Sequence, residues 1–260
     1  MPVPAASYPR AAALSPRLEP RERAGSTNAD LVAAVSSAPA EWPHLSVLLT
    51  TSQTSGRGRL GRTWTAAPGA ALAVSVLVRV PLVPPESRGW IPLAAGAAMT
   101  CAIARQVPGT GVKWPNDVLV AGLKICGILA EGVPGEPHAV VVGSGVNTRM
   151  APVDLPVPTA TSFAALGAEA DDDALVADYL AGLRDRLDAL ADARGDADAS
   201  GLRAELQRLC VTLGRDVAVS LPGGDTLRGR AEGLDASGRL LVVADGAVTA
   251  VSAGDVVHVR

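Results

Sequence analysis

Hydrophobic positions change rhythm several times along this chain, and each change marks an element. Gly25-Ser26-Thr27-Asn28 puts helix-capping side chains ahead of residues 29–35, whose spacing predicts a short helix. Residues 45–51 read as a buried strand, 70–80 as a longer one, and 90–106 as an Ala-rich helix. The apolar runs at 118–120 and 123–129 flank Ala121-Gly122, which predicts a hairpin with a two-residue turn. Another buried strand starts at Val140 and ends near Asn147. After Pro158 the spacing turns helical over 163–190 and 200–209. From Gly214 onward short strands are punctuated by Pro222-Gly223-Gly224, Ser237-Gly238 and Asp245-Gly246, the texture of a small SH3-like β-barrel. The expected organisation is a flexible tail over 1–22, a mixed α/β catalytic domain over 23–211 and the barrel over 212–260.

Composition narrows the class. Apolar residues make up 48% of the 260, enough for a core, but Phe163 is the one phenylalanine, so packing must rest on small aliphatic side chains. The net charge of −3 lacks the basic face of a dedicated nucleic-acid binder. No run of about 18 apolar residues is present to cross a bilayer. The proline-rich start lacks the apolar stretch of a signal peptide, so a cytoplasmic protein is expected. Cys101, Cys126 and Cys210 form no CxxC and His44, His138 and His258 are scattered, so neither a disulfide framework nor a zinc site is expected.

Residue choice is more informative. Of the 23 basic residues only Lys113 and Lys124 are lysines, and asparagine occurs only at 28, 116 and 147. An ammonium is a compact point charge that a planar guanidinium does not replace at a reacting centre, so these positions mark candidate chemistry. Between a buried strand and Trp64, the run Gly56-Arg57-Gly58-Arg59-Leu60-Gly61-Arg62 alternates permissive backbone with phosphate-binding forks, as an active-site lid would. Trp64 offers a face on which a base could stack. Lys113-Trp114-Pro115-Asn116-Asp117 sets a cation, an amide and a carboxylate around a proline turn. With Ala121-Gly122 as the hairpin turn, Leu119 should face Lys124 and Asp117 should face Cys126, gathering both lysines and a carboxylate at one site.

Five segments, in order, resemble the biotin protein ligases: Gly25-Ser26-Thr27-Asn28; residues 50–64 with the Arg/Gly run; Lys113-Trp114-Pro115-Asn116-Asp117; Lys124-Ile125-Cys126-Gly127-Ile128-Leu129-Ala130-Glu131; and Gly143-Ser144-Gly145-Val146-Asn147. The resemblance spans about residues 23–150 and implies a mixed-sheet domain of the biotin/lipoate ligase type with the small C-terminal barrel. It implies ATP-dependent activation of biotin as biotinyl-5′-AMP, with Mg²⁺, and transfer to a lysine of a biotin carboxyl carrier domain. It implies a biotin site of Ser26, Thr27, Asn28 and Gln53, with Arg57, Gly58, Arg59 and Lys124 closing on it. Arg57, Arg59, Arg62, Trp64, Asn116, Lys124 and Asn147 would meet ATP or the adenylate, with Lys124 and Asp117 as the catalytic pair. The metal ligands and the role of Asp117, base or orienting group, stay open. Only about 22 residues precede the first motif, so the DNA-binding module of longer members, and any DNA or membrane partner, is not expected. A lipoate-type ligase and a non-enzymatic nucleotide- or RNA-binding protein are the competing readings.

Overall fold

The computed structural model describes residues 7–221, 224–252 and 254–259. A short helix α1 (Pro9–Ala12) and strand β1 (Leu18–Arg21) come first. Ser26 then caps α2 (Thr27–Ser37), accepting a hydrogen bond from the Ala29 amide. Strand β2 (Val47–Thr50) follows, then the small hairpin β3 (Gly56–Arg57) and β4 (Thr63–Trp64), and the long β5 (Ala71–Arg79). Helix α3 (Trp90–Ala104) leads to β6 (Thr110–Lys113), β7 (Asp117–Val120), β8 (Leu123–Val133) and β9 (Glu136–Asn147). Helices α4 (Asp172–Asp192) and α5 (Leu202–Leu209) close the first domain. The C-terminal part is β10 (Asp216–Ser220), β11 (Thr226–Leu234), β12 (Leu240–Ala244), β13 (Ala247–Val251) and β14 (Asp255–His258).

Seven strands form one sheet in the order β1-β2-β5-β9-β8-β7-β6. Only β1 and β2 run parallel; the other neighbours are antiparallel. Alternate residues of each strand face opposite sides, and the two sides differ. One packs Val74, Val76, Val142 and Ile128 into the main core with α3 and α4, where α3 is buried along nearly its whole length. The other carries a smaller core of Leu48, Leu77, Val133 and Val141 under α2. Beyond the N-terminus of α2 that second side is left uncovered by helices, and there the cavity lies.

The chain before the first motif is not the loose tail expected over 1–22. Residues 1–6 lie outside the described residues, but from Tyr8 onward the segment is built in. Tyr8 and Ala11 are buried. The amides of Arg10 and Ala11 donate to the Asp173 carboxylate at 3.1 and 3.0 Å. Leu18 to Arg21 pair with Val47 to Thr50 as the sheet edge. Four residues with a proline among them carry no periodicity, and their tertiary partners decide the outcome. The helical reading of 163–190 also shifts: Phe163 is buried ahead of a short turn that ends at Gly167 in the left-handed region, and the helix starts after the Asp171 cap. The predicted hairpin is present, with Ala121 and Gly122 both at positive φ as a primed turn requires.

The C-terminal unit is a five-stranded antiparallel sheet, β13-β12-β11-β10-β14. It is the small antiparallel C-terminal unit expected, with no pairing of β13 to β14 among the described residues. Pro222 and Gly223 of the first predicted turn lie outside the described residues. The unit is docked through two tryptophans: Trp90 Nε1 donates to the Ala236 carbonyl at 2.8 Å and Trp114 Nε1 to the Gly238 carbonyl at 3.1 Å. A Cβ at Gly89 would stand 2.5 Å from the Ser237 carbonyl oxygen, so this glycine is the contact surface.

Two outcomes follow for stability. Removing residues 1–21 should lower the melting temperature by roughly 5 °C or more, since a buried tyrosine and the cover of β2 are lost; differential scanning calorimetry measures it. Gly89→Ala has an ordinary backbone angle (φ −56°), so its cost, about 1–3 kcal/mol for a forced shift, reports the docking contact alone in a denaturant titration.

Candidate active site

A cavity of about 160 Å³ opens on the α2 side of the sheet. Its floor is backbone. Gly127 on β8 pairs with Gly145 on β9, and Gly143 lies two residues along the same face. A Cβ at Gly145 would stand 2.7 Å from the Trp64 ring, and one at Gly127 would stand 3.2 Å from both that ring and Lys124 Nζ. One at Gly143 would overlap the Asn28 amide. These three glycines let the indole and the amide lie directly on the sheet. They sit in the motifs read above without a role assigned; the signal was a glycine at every second position of a strand otherwise built from valine.

The polar end of the cavity is the N-terminus of α2. Gln53 Oε1 accepts from the Thr27 amide at 2.9 Å, with Thr27 Oγ1 3.1 Å away. Ser75, wholly buried on β5, places its hydroxyl 2.6 Å from Asn28 Oδ1 and 2.8 Å from Thr27 Oγ1. Asn28 Nδ2 donates to the Leu129 carbonyl at 3.1 Å and to Glu131 Oε2 at 2.8 Å. Ser26, Thr27, Asn28 and Gln53 all line the wall, as expected. Ser75 and Glu131 support it from behind and had no signal beyond their neighbours.

The rim formed by the Arg/Gly run is cationic. Arg57, Gly58, Arg59 and Arg62 line the cavity. Within this run Leu60, at φ 56°, and Gly61, at φ 73°, both stand in the left-handed region. Arg57 Nη2 lies 3.2 Å from the Glu131 carboxylate. Arg59 Nη1 donates to Asn116 Oδ1 at 2.9 Å and to the Gly254 carbonyl of the C-terminal unit at 3.4 Å.

In the wall of the same cavity stands the ion pair of Lys124 Nζ and Asp117 Oδ1, 2.6 Å apart, with the ammonium 5.7 Å from the Trp64 ring centre. The expected meeting of lysine and carboxylate is thus present, but its register differs from the expected one. Leu119 pairs with Lys124, then a bulge at Ile125 shifts the ladder, so Asp117 pairs with Gly127 and Val118 with Cys126. The extra residue turns Cys126 into the core, where burial pushes its thiol far above its usual range. It also sets a bare glycine opposite the carboxylate, leaving room for the lysine chain. Lys113 does not join the cavity. It pairs in register with Asp117, and its charge, after burial, helps hold the His258 imidazole below its usual range. Asn116 lines the wall and donates to the Ile128 carbonyl at 2.9 Å. Asn147 shares the sheet face of Gly143 and Gly145 but lies beyond Trp64, outside the wall, its amide bonded to the Thr161 carbonyl at 2.8 Å.

Among the described residues no three His, Cys, Asp or Glu side chains come together as a metal cluster, and no helix is long and apolar enough to cross a membrane. A hydroxyl–amide pocket, a lysine–carboxylate pair and an arginine rim around one cavity suit a small polar substrate joined to a phosphorylated one.

Comparison with known proteins agrees with this chemistry. Residues 23–147 match the Biotin/lipoate A/B protein ligase family, and residues 212–259 match the Biotin protein ligase C terminal domain. The chain is 43% identical over 241 residues to a biotin--[acetyl-CoA-carboxylase] ligase of Mycobacterium tuberculosis, covering 91% of this chain and 86% of that protein. It is 29% identical over 212 residues to the bifunctional ligase/repressor BirA of Escherichia coli, covering 78% of this chain and 63% of that one. The fold is shared with the biotin protein ligase of Aquifex aeolicus in complex with biotin and ATP: TM-score 0.76 at 23% identity, over 94% of this chain and 99% of that one. The 43% identity to the Mycobacterium tuberculosis ligase over most of both chains, with both family domains in sequence, makes this chain a member of the biotin protein ligase family.

Proposed function

We propose that this chain activates biotin with ATP and transfers it to a lysine of a biotin carboxyl carrier domain. The observation that carries the reading is the Lys124–Asp117 pair in the wall of the same cavity as the polar pocket and the arginine rim. In the first half-reaction a biotin carboxylate oxygen attacks the α-phosphorus of ATP, and the bond to the β-phosphate oxygen breaks, giving biotinyl-5′-AMP and pyrophosphate. In the second, the carrier's neutral ε-amine attacks the acyl carbon, the acyl–phosphate bond breaks, AMP leaves and the amine gives up its proton. Both nucleophiles come from substrates, so the chain supplies position and charge.

On this reading Ser26, Thr27, Asn28 and Gln53 meet the ureido group. The biotin carboxylate then lies at Lys124, where negative charge gathers on the α-phosphate. Arg57, Gly58 and Arg59 fold over the adenylate, Arg62 meets phosphate, Trp64 supports the base, and Asn116 flanks the nucleotide, while Asn147, buried outside the wall, braces the segment at Thr161. Lys124 exchanges Asp117 for a phosphate oxygen as the adenylate forms. The carboxylate it releases is then free to orient the incoming carrier amine. Asp117 is the acidic side chain of the cavity wall, which suits Mg²⁺ arriving as the ATP complex; the ion would neutralise the pyrophosphate that leaves. A cytoplasmic site of action fits the ATP and carrier chemistry.

The direct test is biotin-dependent exchange of labelled pyrophosphate into ATP, with lipoate in place of biotin as the contrasting substrate. Exchange with lipoate and none with biotin would overturn the assignment. Lys124→Arg should lower that exchange by about a hundredfold or more at an unchanged melting temperature, since the fork cannot occupy the place of the point charge; exchange within threefold of the parent would count against the role. Arg59→Gly removes the bonds from the lid to Asn116 and Gly254. Such charge-assisted bonds are worth roughly 1.5–3 kcal/mol, so the adenylate should still form but leave about ten to a hundred times faster. Biotinylation of an inert, lysine-rich bystander protein should rise accordingly.

A further inference from the structure

Glu131 touches both the polar wall of the cavity, at Asn28, and the arginine lid, at Arg57. It projects from β8, is 27% exposed, and has no part in the steps above. Its Oε2 accepts from Asn28 Nδ2 at 2.8 Å, while Arg57 Nη2 of the lid stands 3.2 Å from the same carboxylate.

The consequence for the pocket follows from counting hydrogens. Asn28 is buried, and its amide nitrogen spends its donors on Glu131 and on the Leu129 carbonyl. Its Oδ1 can therefore only accept. Ser75 has one hydroxyl hydrogen and two oxygen neighbours, Asn28 Oδ1 and Thr27 Oγ1. Since Asn28 Oδ1 has no hydrogen to give, Ser75 donates there and can only accept from Thr27. Gln53 Oε1, which accepts from the Thr27 amide, is the other acceptor in reach of the Thr27 hydroxyl, at 3.1 Å. Thr27 thus spends its hydrogen inward and turns its oxygen lone pairs to the cavity. The acceptors at Glu131 and at the Leu129 carbonyl together fix the sense of the whole chain; a donor in place of Glu131 would set the two against each other.

We infer that Glu131 is a positioning residue with two separable actions. It sets the Asn28–Ser75–Thr27 hydrogen-bond order that presents an acceptor to a ureido N–H. With the same carboxylate it holds the lid through Arg57 until ligand arrives. This deepens the biotin ligase reading and rests on it. The two actions share one group, so the β3 lid and the pocket are coupled through a single carboxylate.

Two substitutions in the full chain separate them. Glu131→Gln keeps an acceptor for Asn28 but turns an NH₂ toward Arg57. Its KM for biotin in pyrophosphate exchange should stay within about threefold of the parent. Trypsin cleavage after Arg57 and Arg59 without ligands, followed by mass spectrometry, should quicken about tenfold as the lid opens more often. Glu131→Ala removes both contacts; it should show the same faster cleavage and also a KM for biotin raised about tenfold or more, with the KM for ATP within about threefold. A residue that only supports the fold would instead move both KM values together, without rescue by glutamine. Equal rises in biotin KM for the two variants, or cleavage at the parent rate in Glu131→Gln, would overturn the inference. Absence of biotin-dependent exchange in the parent itself would overturn the ligase reading; the cleavage comparison would then still decide whether Glu131 holds the lid.

Discussion

Everything at the site depends on a stretch of sheet that has no side chains. Where Gly127, Gly143 and Gly145 share one face of β8 and β9, the backbone itself is the surface on which Trp64, Lys124 and Asn28 lie. Any larger residue there would lift the indole or expel the amide. The close approach fixes the depth of the cavity, which sets how far the lysine can reach and which oxygen the asparagine amide faces. Strand glycines are usually a weakness, because they cost chain entropy and pack nothing. Here the sheet recovers stability from its other face, where Val142, Ser144 and Val146 are buried against the helical layer.

The second dependence is on what lies behind the site. The loop that carries Asn116 and Asp117 is tied to the C-terminal unit through Trp114, whose indole bonds to Gly238 and whose amide donates to Thr212 Oγ1 at 3.1 Å. The lid reaches the same unit through Arg59 and Gly254. A small sheet that could bury little surface by itself is thereby both supported by the larger domain and a support for it. Loops that touch substrate are low in stability by necessity, and tethering them to a second body limits their freedom without filling the cavity.

Much of this was legible in the amino-acid order. The α2 cap, the long strands, α3, the Ala121-Gly122 turn and the meeting of Lys124 with Asp117 all follow from local rules of spacing and turn chemistry. The failures have physical causes. Pairing the hairpin by simple alternation placed Asp117 opposite Cys126, because one extra residue at Ile125 leaves no mark in an apolar run. The N-terminal segment was read as loose because a four-residue edge strand acquires its structure from β2 rather than from its own periodicity. Lys113 was grouped with Lys124 on rarity, yet it does not line the cavity, and its charge bears on His258. Ser75 and Glu131 stood in strands as ordinary polar residues; only the sheet order brings them to Asn28.

The scarcity of amines in this chain acquires a meaning once the lysines are placed. A mixed anhydride of a carboxylic acid and AMP is open to attack by whichever neutral amine it meets, and the molecule exposed to it for longest is the protein that holds it. This chain carries two lysines, both partly buried. One is clasped by Asp117 with its ammonium beside Trp64, and the other is not among the residues that line the cavity. Twenty-one arginines, which do not acylate under such conditions, supply the rest of the positive charge. An intermediate escaping across this surface would find almost nothing to react with, and the protein would survive its own product.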